Sequence, residues 1–363
     1  MNNNCTNLHG WKLNLIASVT LTMLLGILLL MPLAAFDGEP LPASSPIPPA
    51  PAPAHLPIIQ SSAQWSPVGN IPSGTSISLF YEVAVCGQYG LAGTNIGLYS
   101  INNITQQQAT WQREIDLGGI SDQVVSGVTF VPDTNCSTAY ATSRTRGVWR
   151  GTRTGDNWQW RRVDKGLDEA FVVLVSDNTL FVGGNFGVRW ASPLPTDDKT
   201  TWNTTDIITT TYGLSISQKD ADDIHAAVWQ RGVVEKSSDN SSWVSIGTIP
   251  NPNVYDAAAN ASGVVVAGTD SGLMRFVNSS WSASQPPFVL TSFAVLAVGE
   301  RFYAAHDGFG VVYSRNGGTT WESMGTGLPQ NEPSFRVRGL SLSDNGRLFA
   351  ATRTGVWMWT GQP

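Results

Sequence analysis

Arginine side chains recur in short turns between apolar segments, and arginine is suited to bidentate contact with carboxylate or phosphate groups. The same set of turns carries tryptophan, aspartate and histidine. We select from them a candidate ligand-binding face made of Arg144, Arg146, Trp229, Arg231, Asp270, His306, Asp307 and Arg353. Two alternatives stay open. Charged side chains also occupy turns because turns are solvated, and Trp229 could pack across its turn onto a neighbouring residue.

Motifs for metal or cofactor chemistry do not occur in the sequence. The three cysteines are Cys5, Cys86 and Cys136, and neither they nor the four histidines have metal-ligand spacing. A phosphate loop, a dinucleotide fingerprint and a nucleophile elbow are also missing from the sequence. We therefore expect no metal and no cofactor. Cys86 and Cys136 could form a disulfide, but two free, partly buried thiols are the preferred interpretation.

The turns belong to a repeat in which a short apolar strand, a glycine-containing turn and a second strand recur. The turn glycines are separated by 38 to 50 residues, and they are Gly97, Gly147, Gly187, Gly232, Gly272, Gly310 and Gly355. A further strand of small or alternating residues precedes each pair. Four short strands per repeat of 40 to 50 residues are typical of a β-propeller.

A tryptophan stands some ten residues after each turn glycine except the last. These residues are Trp111, Trp158 or Trp160, Trp202, Trp243, Trp281 and Trp321. The seventh repeat ends before its tryptophan, but a surplus tryptophan, Trp65, stands near the start of the repeats. The first strand can therefore complete the last repeat. We predict an all-β, seven-bladed β-propeller over residues 61–363, closed by its N-terminal strand, with strands named A (innermost) to D (outermost).

The turn before strand D carries a resemblance to a known family. Residues 314–321, SRNGGTTW, resemble the Asp-box of sialidase-type propellers, and residues 237–243 and 154–158 are more degenerate copies. An Asp or Asn side chain caps such a turn through backbone hydrogen bonds. The chain thus resembles the Asp-box (BNR-repeat) superfamily of sialidases, xyloglucan-active hydrolases and sortilin-type receptors. It is most similar to photosystem II assembly-factor-like and uncharacterised bacterial members.

The resemblance implies that ligands bind where the B–C turns and the D–A loops share one face. For a sialidase-like enzyme it implies a Tyr–Glu nucleophile pair and arginines that clamp a carboxylate. Alignment of the A strands puts Tyr81, Tyr212, Tyr255 and Arg338 at equivalent depth. The catalytic candidates are then Tyr81, Glu82, Arg336 and Arg338. The Arg-Ile-Pro signature of such enzymes has no match in this sequence, so we assign no catalytic residue.

The N-terminal segment is predicted to cross a membrane. Residues 13–31 are apolar and uncharged, Lys12 precedes them, and Asp37 and Glu39 follow. The positive-inside rule then predicts a cytoplasmic stub over residues 1–12, a signal anchor over 13–35 and an exported remainder. Cleavage as a signal peptide is the alternative and would give a secreted protein. The proline-dense residues 36–60 are predicted to be a semi-rigid linker.

Charge is scarce, since only 13% of the residues are Asp, Glu, Lys or Arg and the net charge is −6. This balance argues against nucleic-acid binding. We expect a monomeric, membrane-tethered or secreted propeller that acts as a non-catalytic binding or scaffold module for a protein or glycan. The alternatives are a sialidase-like or other glycoside hydrolase and an assembly factor for a membrane complex.

Overall fold

The computed structural model describes residues 63–106, 108–114, 124–236, 239–284, 290–330 and 335–362. The predicted stub (1–12), anchor (13–35) and proline-rich linker (36–60) lie outside these residues. Within the described ranges, no helix is both long enough and apolar enough to span a membrane.

The described residues form 28 strands in seven four-stranded antiparallel sheets. Each sheet is one blade of a propeller. The first strand of the chain is β1 (Trp65–Val68). Blades 1 to 3 then contain, in chain order, β2 (Phe80–Cys86), β3 (Tyr89–Thr94), β4 (Gly97–Ile101), β5 (Gln112–Arg113), β6 (Val125–Phe130), β7 (Thr138–Ser143), β8 (Gly147–Thr154), β9 (Asn157–Arg162), β10 (Ala170–Ser176), β11 (Thr179–Gly184), β12 (Gly187–Ala191) and β13 (Asn203–Thr204).

The other four blades follow the same A to D order. Blades 4 to 6 contain β14 (Thr211–Ile216), β15 (Ile224–Val228), β16 (Gly232–Lys236), β17 (Trp243–Ser245), β18 (Val254–Ala259), β19 (Val265–Thr269), β20 (Gly272–Val277), β21 (Ser280–Ala283), β22 (Ser292–Val298), β23 (Arg301–His306), β24 (Gly310–Ser314) and β25 (Glu322–Ser323). Blade 7 contains β26 (Val337–Leu342), β27 (Leu348–Thr352) and β28 (Gly355–Trp359).

The ring closes through the two ends of the propeller, as predicted. Strand β1 pairs antiparallel with β28, with Trp65 opposite Trp359, and so becomes the outer strand of blade 7. Neighbouring A strands contact each other around the ring, and β26 contacts β2. The B strands β15, β19 and β27 are buried at every residue, because another blade packs on each side of them. Their alanines and other small residues allow this close approach.

The repeated tryptophans join neighbouring blades. They stand at or beside the start of strand D, and all except the half-buried Trp202 are buried. The indole of Trp111 in blade 1 donates to the carbonyl of Val68 in blade 7 at 2.9 Å. The indole of Trp321 in blade 6 likewise donates to the hydroxyl of Ser284, just after strand D of blade 5, at 2.8 Å. Each of these contacts buries a large apolar ring and satisfies its single donor.

The turn from residue 314 to 321 is closed by its own side chains. Asn316 Oδ1 accepts the backbone N–H of Thr320 at 2.9 Å, and Ser314 Oγ accepts that of Gly318 at 2.9 Å. In the corresponding turn of blade 4, Asp239 accepts the backbone N–H of Ser242 at 2.7 Å. The capping role predicted for these Asn and Asp side chains is therefore present.

One hydrogen bond recurs in all seven blades and fixes which loops share a face. The first residue of each B–C turn donates its backbone N–H to the carbonyl of the residue just before strand A. The pairs are Asn95–Leu79, Arg144–Val124, Asn185–Glu169, Trp229–Thr210, Asp270–Asn253, Asp307–Thr291 and Arg353–Arg336, at 2.9–3.3 Å. The seven turn glycines all have φ between 69° and 141°, which favours glycine because other residues carry a Cβ. The B–C turns and D–A loops thus lie on one face.

Cys86 and Cys136 form a disulfide, so the interpretation as two free thiols is wrong. Cys86 ends strand A of blade 1, and Cys136 lies in the A–B turn of blade 2. The turn brings the two cysteines together although 50 residues separate them in the sequence. The bond joins two blades on the face opposite the B–C turns.

Candidate functional site

Each A strand contains a β-bulge at its second residue. A bulge leaves one residue unpaired and re-aims its side chain. Here every bulged residue lines the mouth of the central channel. We call these seven residues the bulge ring: Tyr81, Ser126, Phe171, Tyr212, Tyr255, Phe293 and Arg338. Tyr81, Tyr212, Tyr255 and Arg338 are therefore equivalent, as the strand alignment predicted. The cavity at this mouth has a volume of about 280 Å³.

Aromatic side chains of the bulge ring form a continuous arc over blades 3 to 6. Phe171 and Tyr212 stack at 5.5 Å between ring centroids. Tyr255 lies 5.7 Å from Tyr212 and 5.1 Å from Phe293. Trp229 packs against this arc from its B–C turn, 5.4 Å from Tyr255. Trp229 thus packs onto neighbouring residues and also extends the aromatic surface of the channel mouth.

Two arginines complete the ring over blades 7, 1 and 2. Arg338 lies over the ring of Phe293 at 3.6 Å. Arg144 reaches in from the B–C turn of blade 2, where the bulge residue is the small Ser126, and lies 5.1 Å from Tyr81 and 5.2 Å from Phe171. The Nε atoms of both arginines are buried and have no hydrogen-bond partner within the described part of the chain. Burial lowers the pKa of Arg338 from its ordinary value.

Two carboxyl groups lie one residue deeper in the channel. The residues that follow the bulges are Glu82, Gly127, Val172, Gly213, Asp256, Ala294 and Gly339. Burial raises the pKa of Glu82 to about 8, and the negative charge of Asp256 adds to the rise. Burial raises the pKa of Asp256 to about 7, against two backbone N–H groups, Val295 and Ala257, that favour its charged form.

Glycines on neighbouring A strands leave space for these two carboxyl groups. A Cβ on Gly339 would lie 2.7 Å from the carbonyl oxygen of Tyr81 and 3.1 Å from Glu82 Oε1. A Cβ on Gly213 would lie 2.6 Å from Asp256 Oδ1. The glycines beside each acid therefore allow the A strands to approach closely while the carboxyl groups face the channel.

Two of the predicted face residues are engaged in contacts within the face itself. Asp307 forms an ion pair with Arg336 at 3.1 Å. Asp270 accepts hydrogen bonds from the side-chain amides of Asn251 and Asn253, at 2.5 and 2.7 Å, and these bonds lower its pKa. Arg336 therefore lies outside the channel cavity, although it was grouped with Tyr81, Glu82 and Arg338.

His306 lies behind the face. It is the last residue of β23, is fully buried and contacts the hydroxyl of Ser292 at 2.8 Å through Nδ1. Burial lowers its pKa to about 4, so that it is neutral at physiological pH. Arg231 and Arg353 are exposed and Arg146 is half-buried, and none of the three lines the channel cavity. Of the eight predicted face residues, Arg144 lines the channel cavity, and Trp229 packs against Tyr212 and Tyr255, which line it.

Sequence reasoning missed Phe171, Phe293 and Asp256. The signal was present, because AFVV, SFAV and VYDA at the starts of three A strands align with FYEV in blade 1. The bulge residue is the second in each segment, and the acid of Glu82 and Asp256 is the third. The bulge itself was needed to show that both positions face the channel.

No protein-family model matches the chain, and no curated protein matches it. Among solved structures, the chain is similar to YCF48 bound to D1 peptide, with a TM-score of 0.62 and 12% identity over 82% of this chain and 94% of that one. It is also similar to the extracellular domain of the putative one component system BT4673 from B. thetaiotaomicron, with a TM-score of 0.62 and 13% identity over 80% of this chain and 39% of that one. At these identities, the likeness shows that the chain shares the β-propeller fold.

Proposed function

We propose that this chain is an extracytoplasmic, non-catalytic binding module that holds a segment of a partner protein over the channel mouth. The observation that carries the proposal is the bulge ring, where an aromatic arc and two arginines meet around one cavity. Aromatic rings and arginine are the side chains that dominate the energetics of protein interfaces. The proposal therefore rests on the site and does not depend on the fold alone.

Exposed apolar side chains around the mouth favour a protein partner over a glycan. Four large apolar side chains are exposed among the described residues, and three of them, Ile71, Ile208 and Leu290, lie on D–A loops. Ile208 is 75% exposed. Aliphatic groups gain free energy from burial against another apolar surface, whereas glycan recognition relies on hydrogen bonds and aromatic stacking. The fourth, Val244, lies on the outer strand β17.

The protonation state of Glu82 supports binding over hydrolysis. A Tyr–Glu nucleophile pair needs an ionised carboxylate that accepts the tyrosine proton. With a pKa of about 8, Glu82 holds its own proton at pH 7. Its one hydrogen bond among the described residues comes from the backbone N–H of Val83, and none joins it to Tyr81. These two observations favour a binding role for the pair.

The proposed location follows from the sequence of residues 13–60. We propose a single-pass anchor over residues 13–35 with the propeller outside the cell, or a secreted propeller if that segment is cleaved. Two fold neighbours agree with this role, since YCF48 was solved with a bound peptide and the BT4673 domain is extracellular. An assembly role for a membrane complex would be one form of such binding.

Site-specific photo-crosslinking in cells of the native source tests the proposal. A photoreactive phenylalanine analogue replaces Ile208 on the face in one variant and Val244 on the outer wall in the other. Both side chains are exposed and apolar, so Val244 is a matched control. We expect a discrete protein adduct from position 208 alone, and we expect Tyr255→Ala in the same chain to remove it. Equal adducts from both positions, or none from position 208, would contradict the proposal.

A further inference from the structure

Three ionisable side chains of the channel cavity, Glu82, Arg338 and Arg144, do not neutralise one another, and Asp256 lies in the same cavity. Glu82 follows Tyr81 in strand β2. Arg338 is the ring residue on one side of Tyr81, and Arg144 reaches over Ser126, the ring residue on the other side. Within the described residues no ion pair joins any of the three, although all line one cavity. Both arginines are half-buried, and the Nε of each is buried without an acceptor among the described residues. A buried donor without an acceptor is costly, so the arrangement favours an anionic group from outside the chain.

We propose that the channel mouth is a carboxylate site, in which Arg144 and Arg338 receive the anionic group of the partner segment and protonated Glu82 donates a hydrogen bond to the same group. The inference rests on the proposed binding function and names the chemistry of the segment that enters the channel. A terminal carboxylate and a glutamate or aspartate side chain share this chemistry.

Each part of the site has a role in this arrangement. A guanidinium presents several N–H donors in one plane, which match the two oxygens of a carboxylate. The aromatic arc of Phe171, Tyr212, Tyr255 and Phe293 receives the apolar body that carries the carboxylate. Glu82 contributes an O–H donor at a depth that the arginines do not occupy. A carboxyl group can donate a hydrogen bond only while it is protonated, because the ionised carboxylate only accepts.

Binding is therefore coupled to pH. The groups that face Glu82 are Arg338 from β26, Arg144 from the β7–β8 turn, Asp256 from β18 and the phenol groups of Tyr81, Tyr212 and Tyr255. Burial raises the pKa of Tyr255, so it stays neutral near pH 8. Glu82 loses its proton near pH 8, and Asp256 loses its own near pH 7. Each loss adds a negative charge that repels the bound carboxylate.

The experiment titrates the purified full chain with small probes by calorimetry or tryptophan fluorescence. N-acetyl-phenylalanine carries a terminal carboxylate, and N-acetyl-phenylalaninamide is its uncharged match. A second pair separates the two sources of a carboxylate: N-acetylglutamine carries it at the chain end, and its isomer, the α-amide of N-acetylglutamate, carries it on the side chain. We expect N-acetyl-phenylalaninamide to bind about tenfold or more weakly than N-acetyl-phenylalanine at pH 6.5, because a charge-assisted contact is lost. The stronger-binding isomer of the second pair then identifies the source, a chain end or a side chain.

Variants assign the effect to the named residues. Arg338→Met keeps an apolar stem beside Phe293 and should weaken carboxylate binding about tenfold or more, whereas Arg161→Met, on the exposed side of outer strand β9, should leave it unchanged.

For the wild type we expect affinity to fall by about tenfold per pH unit above pH 8. Glu82→Gln cannot ionise and should make this part of the profile less steep, while the weakening caused by Asp256 near pH 7 remains. Glu169→Gln is the matched control, because Glu169 is exposed on the same face but outside the cavity.

Several outcomes would overturn the inference. They are equal binding of N-acetyl-phenylalanine and its amide, no binding of any carboxylate probe up to about 10 mM, or an unchanged pH profile in a folded Glu82→Gln variant. Melting curves recorded beside each titration show whether the variant is folded. These results are independent of the crosslinking test, since a partner held only by the aromatic arc and the D–A loops would still form an adduct at position 208.

Discussion

The outer wall and the channel mouth of this propeller are built from the same sevenfold repeat but use it differently. On the outer wall the repeat preserves a residue, since a tryptophan stands near the start of strand D in blade after blade and is mostly buried. At the mouth the repeat preserves a backbone feature, the bulge, while the side chain on it changes from tyrosine to serine, phenylalanine or arginine. A tryptophan repeated in blade after blade is expected where the side chain packs between blades. Different side chains at the same bulge position are expected where a surface binds an asymmetric ligand.

The largest expected effect is a difference in stability between two tryptophan variants, one from each region. Trp111→Ala removes a fully buried ring and its hydrogen bond to Val68, and we expect it to lower the free energy of unfolding by about 3–5 kcal/mol. Trp229→Ala removes a half-buried ring from the face and should cost about 1 kcal/mol. Urea unfolding measures both. If the two variants lose the same stability, the division between wall and mouth is wrong.

The disulfide gives the next largest effect. Cys136→Ser opens a link between blades 1 and 2 across 50 residues, and we expect a loss of about 2–4 kcal/mol in the free energy of unfolding. Probe binding at the mouth should be unchanged, because the bond lies on the opposite face. The control is the wild type measured with and without a reductant, which should reproduce the difference. A Cys136→Ser variant as stable as the oxidised wild type would contradict the expectation.

The ionisation of Glu82 gives a smaller, pH-dependent effect. Its pKa is about 8 in the folded chain against an ordinary value of 4.5, so between these pH values the native state holds a proton that the unfolded state releases. Wild-type stability therefore falls as pH rises through this window, and Glu82→Gln removes that fall. The full shift would correspond to about 5 kcal/mol, but Glu82 is only half-buried and lines the channel cavity, where water screens its charge. We therefore expect the variant to gain about 2 kcal/mol over the wild type between about pH 5 and pH 9. If the stabilities of the wild type and the Glu82→Gln variant change with pH in parallel, the burial of Glu82 does not destabilise the folded chain at high pH.

The smallest expected effect concerns catalysis. We expect no turnover of a sialoside or of xyloglucan by the full chain above the rate in buffer, because Glu82 is protonated and makes no hydrogen bond to Tyr81 among the described contacts. A colorimetric or reducing-sugar assay measures this. Turnover that disappears in Glu82→Gln would assign chemistry to the mouth and replace the binding proposal with the hydrolase alternative.

The sequence alone determined the number of blades, the closure of the ring and the role of the tryptophans. Glycine turns, tryptophans and short apolar strands are local signals that recur at intervals of 38 to 50 residues, so counting them is enough. The surplus Trp65 ahead of the first repeat predicted that strand β1 completes blade 7, and β1 is the outer strand of that blade. The equivalence of Tyr81, Tyr212, Tyr255 and Arg338 was readable for the same reason.

Only the tertiary structure decided which of the chemically suitable residues meet. Turn residues that look alike in sequence differ in three dimensions: Arg144 reaches the channel, Arg353 stays exposed and His306 is buried. The bulge decides this at the mouth, because one extra residue in a strand changes the face to which side chains point. The pairing of Cys86 with Cys136 and the shared cavity of Glu82 and Asp256 depend likewise on contacts between blades, which no local pattern contains.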